Sequence, residues 1–271
     1  MRTKTLIFGL ILALSTASCS KFRKIQKSED WRVKYEAGLN YYAKKDYYRS
    51  AMLFEEILPV VRGLPEGEKV EFYLAYCQYY EKTYLLSSNQ FKTFYETYGR
   101  SQLAEEANFM YAYSLFVAAP APNLDQKEGI EAMNAMQNFL NQYPNSQFTE
   151  KAVDVIVTSQ QKLEEKGYIN ARQYLKLRNY QAAVISFDNF RENFPDSKYI
   201  EELAYLKVEA QFRLAEKSFV SLQAKRYQQV VDFYQELVDS YPQSKYLKEA
   251  EKFYSTSMTR LNQLKTTKTN S

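Results

Sequence analysis

One four-residue turn recurs along this chain and limits what it can build. Tyr143-Pro144-Asn145-Ser146, Phe194-Pro195-Asp196-Ser197 and Tyr241-Pro242-Gln243-Ser244 share an aromatic residue, Pro, a polar residue and Ser. Tyr98-Gly99-Arg100-Ser101 repeats the pattern with Gly in place of Pro. Proline lacks the N–H that a helix interior needs and disfavours helix in the residue before it, so each copy ends a helix. The Ser two positions on suits the cap of the next helix. After two of the turns an acid follows (Glu105, Glu201), where the positive end of a helix dipole favours it.

Upstream of each turn lies an amphipathic helix in one register. The stripes are Tyr84, Ser87, Phe91, Phe94; Gly129, Ala132, Met136, Phe139; Tyr180, Ala183, Phe187, Phe190; and Tyr227, Val230, Tyr234, Leu237. An N-terminal copy, Tyr47, Ser50, Phe54, Ile57, reaches Arg62 at the turn position. Steps of three, four and three residues put each set on one face of a helix. The chain carries only seven Gly and seven Pro in 271 residues, so it has few turns to spend and long helices are expected. Prolines 59, 65, 120, 122, 144, 195 and 242 are all assigned to helix ends or connections. Ala118 to Asn123 reads as a loop, and the proline-free stretches 147–178 and 198–225 read as long helices or collinear pairs. A last helix from Leu247 to about Leu264 would cap the stack, with a polar tail over 265–271.

The helices preceding the stripes carry small residues where two helices must approach closely: Gly38, Ala75, Ala112 and Ala171. With the stripe and the turn, this pattern resembles the tetratricopeptide (TPR) repeat, a helical hairpin of 34 residues. Turn positions 62, 99, 144, 195 and 242 give steps of 37, 45, 51 and 47, so the repeats are irregular. The expected fold is all-α: a superhelical array of about five irregular TPR hairpins over residues 31–264, plus the C-terminal capping helix.

Composition removes several functions. With no His, there is no Ser-His-Asp or Cys-His nucleophile, no His-ligated metal and no imidazole acid or base. No glycine-rich phosphate loop is present. Adjacent acids such as Glu55-Glu56, Glu105-Glu106, Glu164-Glu165 and Glu201-Glu202 diverge by about 100° on a helix and do not share a site. A binding protein without catalysis, cofactor or metal is expected.

Residues 1–18 read as an export signal. Arg2 and Lys4 precede the apolar run Leu6 to Leu14, which is too short to span a bilayer that needs roughly 20 residues. Small residues then lead to Cys19, as in a bacterial lipoprotein signal, although Thr16 stands where Leu is usual; an ordinary cleavage near Ala17 or Ser18 is the alternative. The expected group is a covalent N-terminal lipid on Cys19. The other cysteine, Cys77, reads as a buried thiol. Residues 19–30 read as a basic tether, either solvated or near anionic headgroups, with Lys21, Arg23, Lys24 and Lys27. The formal charge of +4 falls to +2 without Arg2 and Lys4, and to −2 without those four cations. The folded part is therefore not basic, and a nucleic-acid partner is not expected.

A lipoprotein signal, a short tether and five irregular TPRs ending near residue 264 resemble the BamD family of outer-membrane-protein assembly lipoproteins. Asn141 to Thr149 (NQYPNSQFT) is similar to that family's Y-P-N-S-x-[YF]-T stretch, followed by Ala171 to Leu175 (ARQYL) and Phe194-Pro195-Asp196-Ser197; Tyr73-Leu74-Ala75-Tyr76 is similar to its second repeat. The resemblance implies anchoring in the inner leaflet of the outer membrane, facing the periplasm. It implies BamA, through its POTRA domains, as main partner, together with other Bam lipoproteins. It further implies that unfolded barrel precursors bind through a C-terminal β-signal ending in an aromatic residue. Another anchored TPR adaptor, for cell-wall or nutrient-uptake complexes, is the second reading, and an envelope enzyme the third.

TPR proteins bind extended peptides on the face formed by positions 5, 9 and 12 of the first helix of each hairpin. By that resemblance the candidate groove residues are Tyr35, Leu39 and Tyr42; Phe72, Tyr76 and Tyr79; and Phe109, Tyr113 and Phe116. Arg32 and Lys69 fall at position 2, where they could meet the carboxylate of the guest. Tyr42, Tyr76 and Tyr79 are the expected client pocket. Packing against neighbouring helices is the competing role for every one of these rings.

Overall fold

A computed structural model describes residues 21–269. The expected signal peptide, Cys19 and the last two residues lie outside the described residues. No strand occurs among the described residues. The chain forms two compact units: residues up to Pro120 with Asp125–Gln160, and Ala121–Leu124 with the residues from Gln161 onward.

The first unit contains α1 (residues 21–26), α2 (Trp31–Ala43), α3 (Tyr47–Val61), α4 (Pro65–Tyr80), α5 (Tyr84–Thr97), α6 (Ala104–Ala118), α7 (Lys127–Gln142) and the start of α8 (Thr149–Lys176). The second contains the rest of α8, then α9 (Tyr180–Asn193), α10 (Ile200–Glu216), α11 (Val220–Ser240) and α12 (Leu247–Thr269). Consecutive helices pair as α2/α3, α4/α5, α6/α7 and α10/α11, and α12 packs on α10 and α11. Gly167 and Ala171 of α8 pack against Phe187 and Phe190 of α9, which gives a TPR-like array of five hairpins.

The stripes read from the sequence form the cores. Ser50, Phe54 and Ile57 are buried on α3, Ser87, Phe91 and Phe94 on α5, and Gly129, Ala132, Met136 and Phe139 on α7. In the second unit Ala183, Phe187 and Phe190 are buried on α9, and Tyr227, Val230 and Leu237 on α11. Each fully buried Phe contributes about 1.5–3 kcal/mol of hydrophobic stabilisation. The small residues sit at close approaches. A Cβ on Gly38 would meet Phe54 Cε1 at 2.6 Å. Ser50 Oγ donates to the Gly38 carbonyl, and Ser87 Oγ to the Ala75 carbonyl, each at 2.9 Å.

The repeated turn carries a device that the sequence alone does not expose. Ser101, Ser146, Ser197 and Ser244 each accept the backbone N–H two residues on, at 3.0 to 3.2 Å. Each hydroxyl also donates to a glutamate on an earlier helix. Ser146 reaches Glu105 at 2.6 Å, Ser197 reaches Glu164 at 2.5 Å, Ser244 reaches Glu201 at 2.7 Å, and Ser101 pairs with Glu68. Thus Glu105 and Glu201, read as helix N-terminus acids, also clamp the following turn. The turns within three hairpins form a second set. Lys45, Lys82 and Arg178 have φ of 62°, 63° and 58°, a left-handed conformation that ends α2, α4 and α8.

Three expectations shift. Pro59 lies inside α3, not at its end, but it falls in the last turn, so the helix runs on only to Val61 beyond it. The stretch 198–225 is neither one long helix nor a collinear pair: it breaks at residues 217–219 into α10 and α11, which pack against each other, and the extra length extends the start of α11. Helix α12 runs to Thr269, into the segment read as a polar tail.

Candidate functional site

Tyrosine side chains of the first three hairpins meet in a connected ribbon within the first unit. Tyr42, at the end of α2, lies 4.7 Å from Tyr73 and 5.5 Å from Tyr47, ring centre to ring centre. Tyr47 stacks on Tyr80 at 4.3 Å. Tyr80 contacts Tyr76 at 5.9 Å and Tyr79 at 5.5 Å. Tyr79 continues to Tyr84 at 5.5 Å and to Tyr113 at 6.2 Å, and Tyr113 to Phe116 at 6.0 Å. Such edge-on and offset contacts each add about 0.5–1.5 kcal/mol beyond burial.

The ring hydroxyls are held in their neutral form. Burial, then the hydrogen bond to Glu106, pushes the Tyr76 hydroxyl far above the ordinary tyrosine range. Burial does the same to Tyr42, helped by the neighbouring Tyr80. Tyr79 is pushed up to about 12 by burial and the adjacent Tyr113 and Tyr84. At neutral pH the rings offer aromatic area and uncharged hydroxyl tips, with the Glu106 carboxylate beside Tyr76. The Lys151 ammonium lies 4.4 Å from the Tyr113 ring centre, supplying a cation at one end.

The structure divides the predicted residues into three groups. Tyr42, Tyr76, Tyr79, Tyr113 and Phe116 belong to the ribbon and are partly exposed. Phe72 and Phe109 do not line it: at 5% and 2% exposure they are core residues, packed on Phe91, Phe94, Phe139 and Phe148. For these two the packing role wins, because their side of the helix faces the partner helix of the hairpin. Tyr35 and Arg32 gather instead around Trp31, at 6.4 Å ring to ring and 4.6 Å from guanidinium to ring centre. Leu39 is half-buried against the core of the first hairpin, and Lys69 is exposed on α4.

Sequence reasoning missed Tyr47, Tyr73, Tyr80 and Tyr84. Tyr80, 43% exposed, joins the rings of three helices. Its signal was its place four residues after Tyr76, on the same helical face. Tyr47 read as a core position of its stripe, but it is the first residue of α3 and reaches the surface.

Among the described residues no group of three or more Cys, Asp or Glu could hold a metal, and no helix is long and apolar enough to cross a membrane. Cys77 is buried, its thiol pushed up to about 12 chiefly by burial.

A family profile described as outer membrane lipoprotein (YfiO) matches residues 28–224. A protein of Aquifex aeolicus named as an outer membrane protein assembly factor BamD is 30% identical over 202 residues, 74% of this chain and 65% of the relative. The outer membrane protein assembly factor BamD of Rickettsia prowazekii is 24% identical over 200 residues, 72% of this chain and 76% of the relative. The chain thus spans just under two thirds of the Aquifex protein and three quarters of the Rickettsia one.

Proposed function

We propose that this chain, which belongs to the YfiO family of outer membrane lipoproteins, is a non-enzymatic scaffold and client receptor in the assembly of outer-membrane β-barrels. A lipid on Cys19 anchors it in the inner leaflet of the outer membrane, and the helical hairpins work in the periplasm. Its main partner is the barrel-forming BamA, through the POTRA domains, alongside other Bam lipoproteins. Its clients are unfolded barrel precursors, received through a C-terminal strand that ends in an aromatic residue.

The observation that carries this reading is the tyrosine ribbon from Tyr42 to Phe116. Rigid aromatic area costs little entropy to present, and hydroxyl tips pair with an extended backbone. An apolar strand with an aromatic end suits such a surface. The terminal carboxylate of that strand is assigned to Arg32 or Lys69, which are exposed on α2 and α4.

Depletion tests the reading in the cell. Loss of barrel proteins from the outer membrane, with induced envelope stress, is expected. Normal barrel levels after depletion would refute it. Pull-down through the lipidated chain is expected to recover the barrel-forming subunit; recovery of cell-wall or uptake proteins in its place would favour the adaptor reading.

A further inference from the structure

Helix α1 is docked rather than free. Phe22, 8% exposed, with Ile25 and Gln26, turns toward the first hairpin, whereas Lys21, Arg23, Lys24 and Lys27 are exposed. The Phe22 ring stands edge-on to Tyr41 at 5.6 Å. The Arg49 guanidinium lies 5.6 Å from the Phe22 ring centre and 5.8 Å from that of Tyr41, and is itself held by Asp46 at 2.8 Å. Gln26 Nε2 donates to Glu56 Oε1 at 2.7 Å, and Lys34 Nζ binds the other oxygen at 2.7 Å. These contacts fix both ends of α1.

Among the described residues, the cations that remain outward have no carboxylate partner. None of Lys21, Arg23, Lys24, Lys27, Lys44 and Lys45 is in an ion pair among the described residues. Lys21 and Lys44 line one open groove of about 530 Å³ over Ala37 and Tyr41. Two acids line it too, Glu36 and Asp46, and Asp46 is taken by Arg49. Lys45 follows at the exposed α2–α3 turn.

Chain reach decides what this surface meets. Only Ser20 and Lys21 lie between Cys19 and the buried Phe22, and the three chain steps extend at most about 10 Å. The inference rests on the reading of Cys19 as the lipid site. A lipid there holds the first hairpin at the bilayer, within roughly one Debye length of its headgroups. We propose that α1 and the α2–α3 turn form a membrane seat: Phe22 makes the lipid anchor rigid, and the cations of α1, Lys44 and Lys45 rest on anionic headgroups. The first hairpin then has a fixed end toward the membrane instead of swinging on a tether.

The test uses the full lipidated chain on vesicles of phosphatidylethanolamine and phosphatidylglycerol that carry a headgroup-attached nitroxide quencher. A dye is placed at Tyr48→Cys, in the first turn of the 15-residue α3, or at Leu64→Cys, in the turn just beyond its last residue; both positions are exposed, and α3 between them is roughly 22 Å long. Buried Cys77 does not compete for the label. Quenching at position 48 is expected to exceed that at position 64 at least threefold. Phe22→Ala should bring the ratio toward one while flotation with the vesicles and helical circular dichroism are unchanged. Lys21→Glu with Lys44→Glu, which leaves the Phe22 packing intact, should lower the ratio as well. Flotation with equal quenching at the two positions, or variants that do not change the ratio, would overturn the seat alone and leave this face to a protein partner. Failure to float would overturn the lipid anchor and the seat with it.

Discussion

At Tyr76 one side chain does two jobs: its ring stacks on Tyr80 and its hydroxyl donates to the Glu106 carboxylate. Phenylalanine keeps the first and loses the second, leaving a carboxylate without its donor. Tyr76→Phe is expected to destabilise the protein by about 1–2 kcal/mol in urea unfolding. The same environment sets a pH limit. Tyr42, Tyr76 and Tyr79 all have raised pKa values in the folded state. A raised pKa adds stability that is fully present below the unfolded tyrosine value, near 10, and is lost as pH rises through the folded values. Stability should therefore fall on the alkaline side, beginning above about pH 10. Absorbance of tyrosinate should show a group of rings that ionises only as the helices unfold; complete ionisation near pH 10 with helices intact would contradict the geometry. Gly38 sets a steric limit of the same kind. Gly38→Ala, with 2.6 Å to Phe54, is expected to cost about 1–3 kcal/mol in the same unfolding experiment.

At the scale of the element, helices were legible and their fastenings were not. The stripes on α3, α5, α7, α9 and α11 follow the 3.6-residue period, a local property that needs no partner to be read. The Ser–Glu clamps join residues 33 to 43 apart, so their pairing appears only when successive hairpins are stacked. Ser197 is not the cap of α10, which falls on Tyr199; its hydroxyl accepts the Tyr199 N–H within the turn and donates to Glu164, and Ser197→Ala is expected to lower stability by about 2 kcal/mol. The left-handed turns hid for another reason. Their usual marker is glycine, and here Lys45, Lys82 and Arg178 hold the position. Lys82→Gly should therefore raise stability by about 0.5–1 kcal/mol, seen as a higher unfolding midpoint. A loss would mean that the Lys82 side chain makes a compensating contact. The candidate surface was half legible for a related reason. Counting positions along α4 found Tyr76 and Tyr79, but the same count placed Phe72 beside them, where hairpin packing takes the ring inward. Tyr47 and Tyr84 come from the second helices of their hairpins, which a rule built on first helices does not consult.

For the whole molecule, the low glycine and proline counts and the excess of tyrosine both follow from the array of hairpins. Few turns suffice for a chain of helical hairpins. Tyrosine is concentrated where three hairpins of the first unit expose their rings. The ribbon is proposed to receive the extended end of a client. Alanine at Tyr42 or Tyr76 tests it poorly, since Tyr42 is packed in the core cluster of the first hairpin and Tyr76 is tied to Glu106. Tyr79 and Tyr80 are the better probes: both lie at the end of α4, and Tyr80 is exposed. The direct measurement is fluorescence anisotropy of a labelled barrel C-terminal peptide, ending in Phe with a free carboxylate, against the full chain and Tyr79→Ala/Tyr80→Ala. A Kd weakened about tenfold, equal to 1.4 kcal/mol, with helical circular dichroism unchanged, is the predicted result. An unchanged Kd would mean that the ribbon does not hold the client's end.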